Sequence, residues 1–205
     1  PVRLPGGERA IREPWRMACA WLVEAVGPDP ELPASLAGSV APERWAEVVR
    51  LCVSGAASPV TTSAGRLFDA VAALCGVRAT ASYEGQAAVE LEALVDPSET
   101  GSYPMPALDA RPALAAVLED VASGVELGRV AARFHEGLAR ATAEACASTG
   151  EATAVLSGGV FQNRVLLERT TAHLEEAGLQ VLRPERLPPN DGGISYGQAA
   201  VATAR

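Results

Sequence analysis

Over most of this chain apolar residues return every three to four positions, the period of a helix with one buried face, and glycine or proline marks the breaks. Pro14 sits in the first turn of a helix whose Trp15, Ala18, Cys19, Leu22 and Val26 share a face, until Gly27-Pro28 stops it. A linker-like stretch from Leu32 to Val40 follows. Pro42 then starts a second helix, with Trp45, Val48, Val49 and Cys52 as its stripe and Gly55 as its end. Thr61, Thr62 and Ser63 offer caps for a third, in which Leu67, Phe68, Val71, Leu74 and Cys75 face inward and Gly76 closes the turn. Val89 to Val95 reads as helix after Gly85. Asp96 to Pro112 reads as an irregular excursion with a short strand, and Pro112 to Ala122 and Leu127 to Ala147 read as two further helices.

The pattern changes near the C-terminal end. Val155-Leu156 reads as a short strand, Gly158-Gly159 as a sharp turn, and Asn163 as the start of a helix carrying Leu166, Leu167, Thr170 and Leu174. A second strand, Leu179 to Leu182, leads through a proline-rich loop to Asn190-Asp191-Gly192-Gly193 and a final helix, Ile194 to Ala204. Loops that follow consecutive parallel strands emerge at one sheet edge, where open α/β sheets bind ligands. Asp191 and the Gly158-Gly159 turn are therefore expected to lie together.

Several residues invite chemistry, and each also has a plain structural role. Unpaired amides at a helix start attract phosphate, but many glycine turns after strands are only tight connections. Asp69 lies mid-helix among apolar neighbours, where a carboxylate either faces solvent or holds a ligand. Gly85 precedes a helix start, as a ligand-approaching backbone or an ordinary turn would. Asp191 is a metal-ligand type and also a common cap. His135 is expected to be satisfied by packing within its helix, since it lacks an HxxxH partner, and His173 lies on a polar face.

Composition narrows the classes. The chain has 205 residues, 48% of them hydrophobic, enough for a real core. Its formal charge is −8, and all 17 basic residues are arginines, which argues against an electrostatic nucleic-acid binder. The apolar run Met17 to Val23 is too short to span a bilayer, so no membrane partner is expected and a cytoplasmic location is. The four cysteines, Cys19, Cys52, Cys75 and Cys146, lack CxxC spacing and read as small buried hydrophobes in a reducing compartment. A chain opening in loop-like Pro1 to Gly7 without methionine is expected to be part of a longer protein.

Leu156-Ser157-Gly158-Gly159-Val160-Phe161-Gln162-Asn163, Leu187-Pro188-Pro189-Asn190-Asp191-Gly192-Gly193-Ile194 and Gly197-Gln198-Ala199 together resemble the C-terminal end of the HypF family of hydrogenase-maturation carbamoyltransferases. Arg12 to Ala18, Thr62 to Ala70 and Tyr83 to Ala87 resemble the same family, so the likeness extends over nearly the whole chain. It implies an α/β fold of the actin-like, ribonuclease-H-like ATPase type: its C-terminal half, helix-rich with a small mixed sheet. Within it, residues 1–56 would form a helical N-terminal segment and 57–205 a nucleotide- and metal-binding subdomain.

The implied activity uses carbamoyl phosphate and ATP, through a carbamoyl-adenylate, to carbamoylate the C-terminal cysteine of a HypE-like acceptor, on the way to the cyanide ligand of the [NiFe] centre. By motif, Asp69 is similar to the aspartate that holds the nucleotide ribose and Gly85 to a glycine of the adenosine pocket. Gly158, Gly159 and Asn163 resemble the nucleotide-binding turn, and Asp191 the aspartate that completes a divalent metal site, with iron or magnesium as candidates. The family's two metal-binding histidines have no counterpart here, and its acylphosphatase-like, zinc-finger and adenylate-forming regions are absent, so the catalytic groups and the missing upstream domains are expected outside this chain. The alternatives are an O-carbamoyltransferase, a relative of the tRNA threonylcarbamoyl-adenosine transferases, or a nucleotide-binding module without catalysis on the same fold.

Overall fold

The computed structural model describes residues 1–204. It is helix-rich: β1 (Val2–Arg3), α1 (Arg9–Arg12), α2 (Pro14–Val26), α3 (Pro42–Ser54), β2 (Val60–Thr61), α4 (Ala64–Leu74), α5 (Gln86–Ala93), α6 (Arg111–Ala122), α7 (Leu127–Ala147), β3 (Thr153–Val155), α8 (Arg164–Glu176), β4 (Gln180–Leu182) and α9 (Ile194–Thr203). Three-residue or four-residue 3-10 turns stand at Pro106–Leu108, Gly159–Gln162 and Asp191–Gly193. Both strand pairings occur, as separate ladders: β1 runs antiparallel to β2, and β3 parallel to β4 with Ala154 opposite Val181. No described helix is long and apolar enough to cross a membrane. The chain divides into two compact units, Pro1–Gly137 and Leu138–Arg205.

In the first unit α2 is the hub, packed by β1, α3, α4 and α6. Its sequence, PWRMACAWLVEAV, mixes Trp15, Met17 and Leu22 with alanines, and all of these but Ala25 are buried, so large side chains fill the space that small ones leave for close helix approach. The next helix, α4, is buried on every residue from Arg66 to Leu74, not only on the expected face. A helix enclosed on all sides is a core element, and it carries whatever polar groups lie on it into the interior with it. Phe68 meets Phe134 of α7 edge to face, with ring centroids 4.9 Å apart. His135 is fully buried, its Nδ1 2.7 Å from the Ala131 carbonyl and its ring against Phe68, as expected of a helix histidine satisfied by packing.

Two stretches read as loose from the sequence are docked. Leu36 and Val40, in the linker-like segment, are buried. The excursion after Asp96 has no strand among the described residues. It is held against α7 by its own main chain, with Asp96 N–H donating to the Gly128 carbonyl at 3.0 Å and Tyr103 N–H to the Arg133 carbonyl at 3.1 Å. A Cβ at Gly137 would stand 2.3 Å from the Tyr103 carbonyl oxygen, so only glycine admits that crossing. Side chains then fasten it. Tyr103 donates to Asp120 at 2.7 Å, and Glu99 accepts from Gly101 N–H at 2.8 Å and Arg129 at 2.6 Å, which holds its carboxyl down at about 2.

The second unit has a smaller core. Ala143, Ala154, Leu156, Leu174 and Leu179 form it, with Phe161, Leu167 and Val181 packed around them. One face of the β3–β4 ladder supplies this core, while Val155 and Leu182 point away from it and are exposed.

Candidate functional site

The six residues singled out from the sequence fall into two groups. Asp69 and Gly85 belong to the first unit. Ser63 caps α4, its Oγ accepting from Arg66 N–H at 3.4 Å, and this fixes Arg66 and Asp69 one turn apart on the same side. Asp69 does not face solvent: it is 2% exposed. Burial pushes its carboxyl up to about 6, against the pull of the Arg66 guanidinium and with a smaller push from the Glu84 carboxylate. Arg66 Nη1 lies 2.8 Å from Asp69 Oδ2, close enough for an ion pair, yet neither atom makes a hydrogen bond with the described residues.

Glu84 belongs to the turn that leads into α5. Gly85 caps that helix with φ 85°, a left-handed conformation that explains the glycine without any crowding, since a Cβ there would meet nothing within 4 Å. The turn is braced on its far side. Gln86 accepts from Ser82 N–H at 2.7 Å and donates to Glu90 at 2.9 Å, and Arg78 grips Glu90 with two bonds of 2.8 and 2.6 Å. Tyr83 and Glu84, with Glu8, Ile11, Arg12 and Ser82, line a depression of roughly 400 Å³. The carboxylate that acts on Asp69 is thus also part of an open surface able to take a polar molecule of moderate size.

Gly158, Gly159, Asn163 and Asp191 belong to the second unit. The chain leaves β3, turns at Gly158 (φ 101°), and makes the 3-10 turn from Gly159 to Gln162 before α8 begins. The strand, turn and helix expected from the sequence are present, with this extra turn between glycines and helix. Asn163 Oδ1 accepts from Leu166 N–H at 2.8 Å, a standard cap that satisfies one of the free amides of α8.

The loop after β4 closes against the glycines, as the parallel pairing predicts: Gly158 N–H donates to the Pro189 carbonyl at 2.7 Å, and Asn190 Cβ lies 3.9 Å from the position a Gly159 Cβ would take. Within that loop the cap is Asn190, whose Oδ1 accepts from Gly192 N–H at 3.1 Å. Asp191 is therefore not the cap. Its side chain is exposed and makes no hydrogen bond or ion pair with the described residues, so its carboxylate is uncommitted.

A divalent cation needs several hard or imidazole ligands converging on one point. Among the described residues no group of three or more His, Cys, Asp or Glu gathers in that way. His135 is sealed in the first unit, and His173 stands 3.4 Å from Glu176 on α8. Asp191 can supply one ligand and no more, so these residues by themselves do not fit a metal. The cysteines are the buried small residues expected: Cys19, Cys52 and Cys75 are enclosed, Cys146 is partly so, and burial pushes Cys75 up to about 12, far from a reactive thiolate.

Sequence reasoning missed Arg66 as the partner of Asp69, although the i, i+3 spacing was a visible signal. It also missed Asn190 as the cap, because Asn and Asp adjoin and either one caps well.

The chain resembles known proteins along its full length. The family described as "Carbamoyltransferase, Kae1-like Domain, second subdomain" matches residues 1–198. A carbamoyltransferase HypF of Rhizobium leguminosarum bv. viciae is 40% identical over 98% of this chain and 27% of its own length. A carbamoyltransferase HypF of Rhodobacter capsulatus is 41% identical over 100% of the chain and 27% of its own. A crystal structure of full-length HypF in a phosphate- and nucleotide-bound form superposes with a TM-score of 0.82 at 33% identity, over 98% of this chain and 28% of that one. The chain thus spans little more than a quarter of the length of these relatives.

Proposed function

The chain belongs to the HypF carbamoyltransferase family, and from that premise we propose that it is the nucleotide-side part of an enzyme that carbamoylates a protein thiol. The substrates in this reading are carbamoyl phosphate and ATP, joined as a carbamoyl-adenylate, and the acceptor is the C-terminal cysteine of a HypE-like partner in [NiFe]-hydrogenase maturation. The acceptor thiolate attacks the carbamoyl carbon, a C–S bond forms as the bond to the adenylate phosphate breaks, AMP leaves, and the thiol proton goes to solvent. Domains beyond this chain would supply the adenylate.

This chain's residues bind and orient. Asp69 would accept hydrogen bonds from ribose hydroxyls, and Gly85 would let the backbone pass close to the adenosine. Gly158, Gly159 and Asn163 would hold the nucleotide turn in shape, and Asp191 would contribute one carboxylate to a divalent metal completed by residues outside the chain, the metal serving as a Lewis acid when bound. The observation that carries the reading is that Asp191, next in sequence to the Asn190 that packs against the Gly158-Gly159 turn, has an exposed carboxylate committed to no described residue, in a chain matched to the family over residues 1–198. A cap would be spent on its own helix, and Asp191 is not.

The test is Asp191→Asn in the longest natural protein containing this chain, supplied with carbamoyl phosphate, ATP and a HypE-like acceptor. Transfer, read as a mass increase of one carbamoyl group on the acceptor, should be lost while the melting temperature stays unchanged, because Asn keeps the shape and removes the charge. Normal turnover by the variant would refute the assignment.

A further inference from the structure

Two polar atoms in the first unit have an unusual status. Asp69 Oδ2 and Arg66 Nη1 are both buried, stand 2.8 Å apart, and make no hydrogen bond with each other or with any described residue. Their side chains are 3% and 10% exposed. An enclosed carboxylate oxygen without a donor is costly, and such atoms are ordinarily satisfied in the working state of a protein. Arg66 supplies its charge to Asp69 across this 2.8 Å contact, and a carboxylate has further lone pairs with which to accept from something else.

Resting on the ribose reading of Asp69 given above, we infer that Arg66 is its positioning residue: it holds the carboxylate in place as an ionised acceptor for the hydroxyls of a vicinal diol. An ionised carboxylate is purely an acceptor and suits a diol that donates twice, whereas a protonated one offers an O–H and loses part of that match. Two charges act on Asp69 and they oppose each other. Arg66, from its own helix, favours the ionised form, and Glu84, from the turn before α5, disfavours it. With burial as the largest influence, the carboxyl lies at about 6, and Arg66 is the group that holds it from rising further.

The sign of each change follows. Removing Arg66 raises the midpoint, so ionisation, and diol binding with it, retreats to higher pH. Removing Glu84 lowers the midpoint, so both persist to lower pH. The test follows the Asp69 carboxyl carbon by NMR through a pH titration of the full chain, beside ADP binding by calorimetry at each pH. The midpoint should be near 6 in the unaltered chain, higher by roughly a unit or more in Arg66→Gln, restored in Arg66→Lys, and lower in Glu84→Gln. ADP affinity should follow the same midpoints, and a 2′,3′-dideoxy analogue should bind at least tenfold more weakly with no pH dependence.

Glu84 is exposed, so its variant keeps the test alive should Arg66→Gln fail to fold. Midpoints that do not move in these opposite directions would overturn the role of Arg66 while leaving the ribose reading intact. Unchanged ADP affinity in Asp69→Asn, equal binding of the dideoxy analogue, or no ADP binding at any pH would sink the ribose reading and this inference together.

Discussion

The two units place their candidate residues in opposite settings. In the first, Asp69 and Arg66 sit on a helix buried along nearly its whole length, beside Phe68 and its edge-to-face contact with Phe134. In the second, Gly158, Gly159 and Asp191 lie on turns at the ends of two short strands, over a core of five buried residues, while Val155 is 66% exposed and Leu182 47%. A two-stranded ladder with an apolar outer face has little stability of its own. The first unit therefore ties its candidate residues to the core, so that altering one disturbs the other. The second keeps the two apart: its turns can be changed with little structural cost, and its hold on the fold is weaker to begin with.

That contrast can be broken most directly in the cores. Phe68→Ala removes a ring packed against Phe134 and His135 and should cost about 3–5 kcal/mol, read as a lower midpoint in denaturant unfolding. A cost below about 1 kcal/mol would mean that the first unit is no more firmly packed than the second. Leu174→Ala deletes an equally buried side chain from the thinner core. It should cost about 2 kcal/mol, the low end of such substitutions, because partly exposed neighbours can close over the space. A larger loss than that of Phe68→Ala would invert the comparison.

The smallest expected effect sharpens the separation of stability from binding in the second unit. Asn163→Ala removes the cap of α8 and should cost about 1 kcal/mol, visible as faster amide exchange in the first turn of that helix, while Asn163→Asp should restore it. Failure of Asp to rescue would show that Asn163 is held for more than its cap.

Much of the helical layout was legible because glycine and proline punctuate it. Pro14 and Pro42 open α2 and α3, and Gly27, Gly55, Gly76 and Gly178 lie where helices stop, so both the period and the boundaries could be read locally. The parallel pairing of β3 with β4 followed from strand, helix and strand in succession. What stayed hidden is non-local. β1 and β2 are two residues each, too short for any periodicity, and exist because Val2 and Thr61 meet across the fold. Leu36 and Val40 look like linker residues and are core, since burial there depends on what surrounds them and not on their neighbours in sequence. For the site, residue types were legible and commitments were not. The sequence could nominate Asp69 and Asp191, but only packing shows that one is enclosed with an arginine and the other is released from capping by Asn190.

The crossing at Gly137 bears on how this sequence can drift. The atom that forbids a side chain there is the carbonyl oxygen of Tyr103, a main-chain atom that every residue type carries. Substituting residue 103 therefore cannot make room, and no second change elsewhere in side chains can compensate for the first. Most packed positions trade volume with their neighbours over time, a larger residue here matched by a smaller one there. Gly137 has no such partner, and its identity is set by the path of the backbone alone.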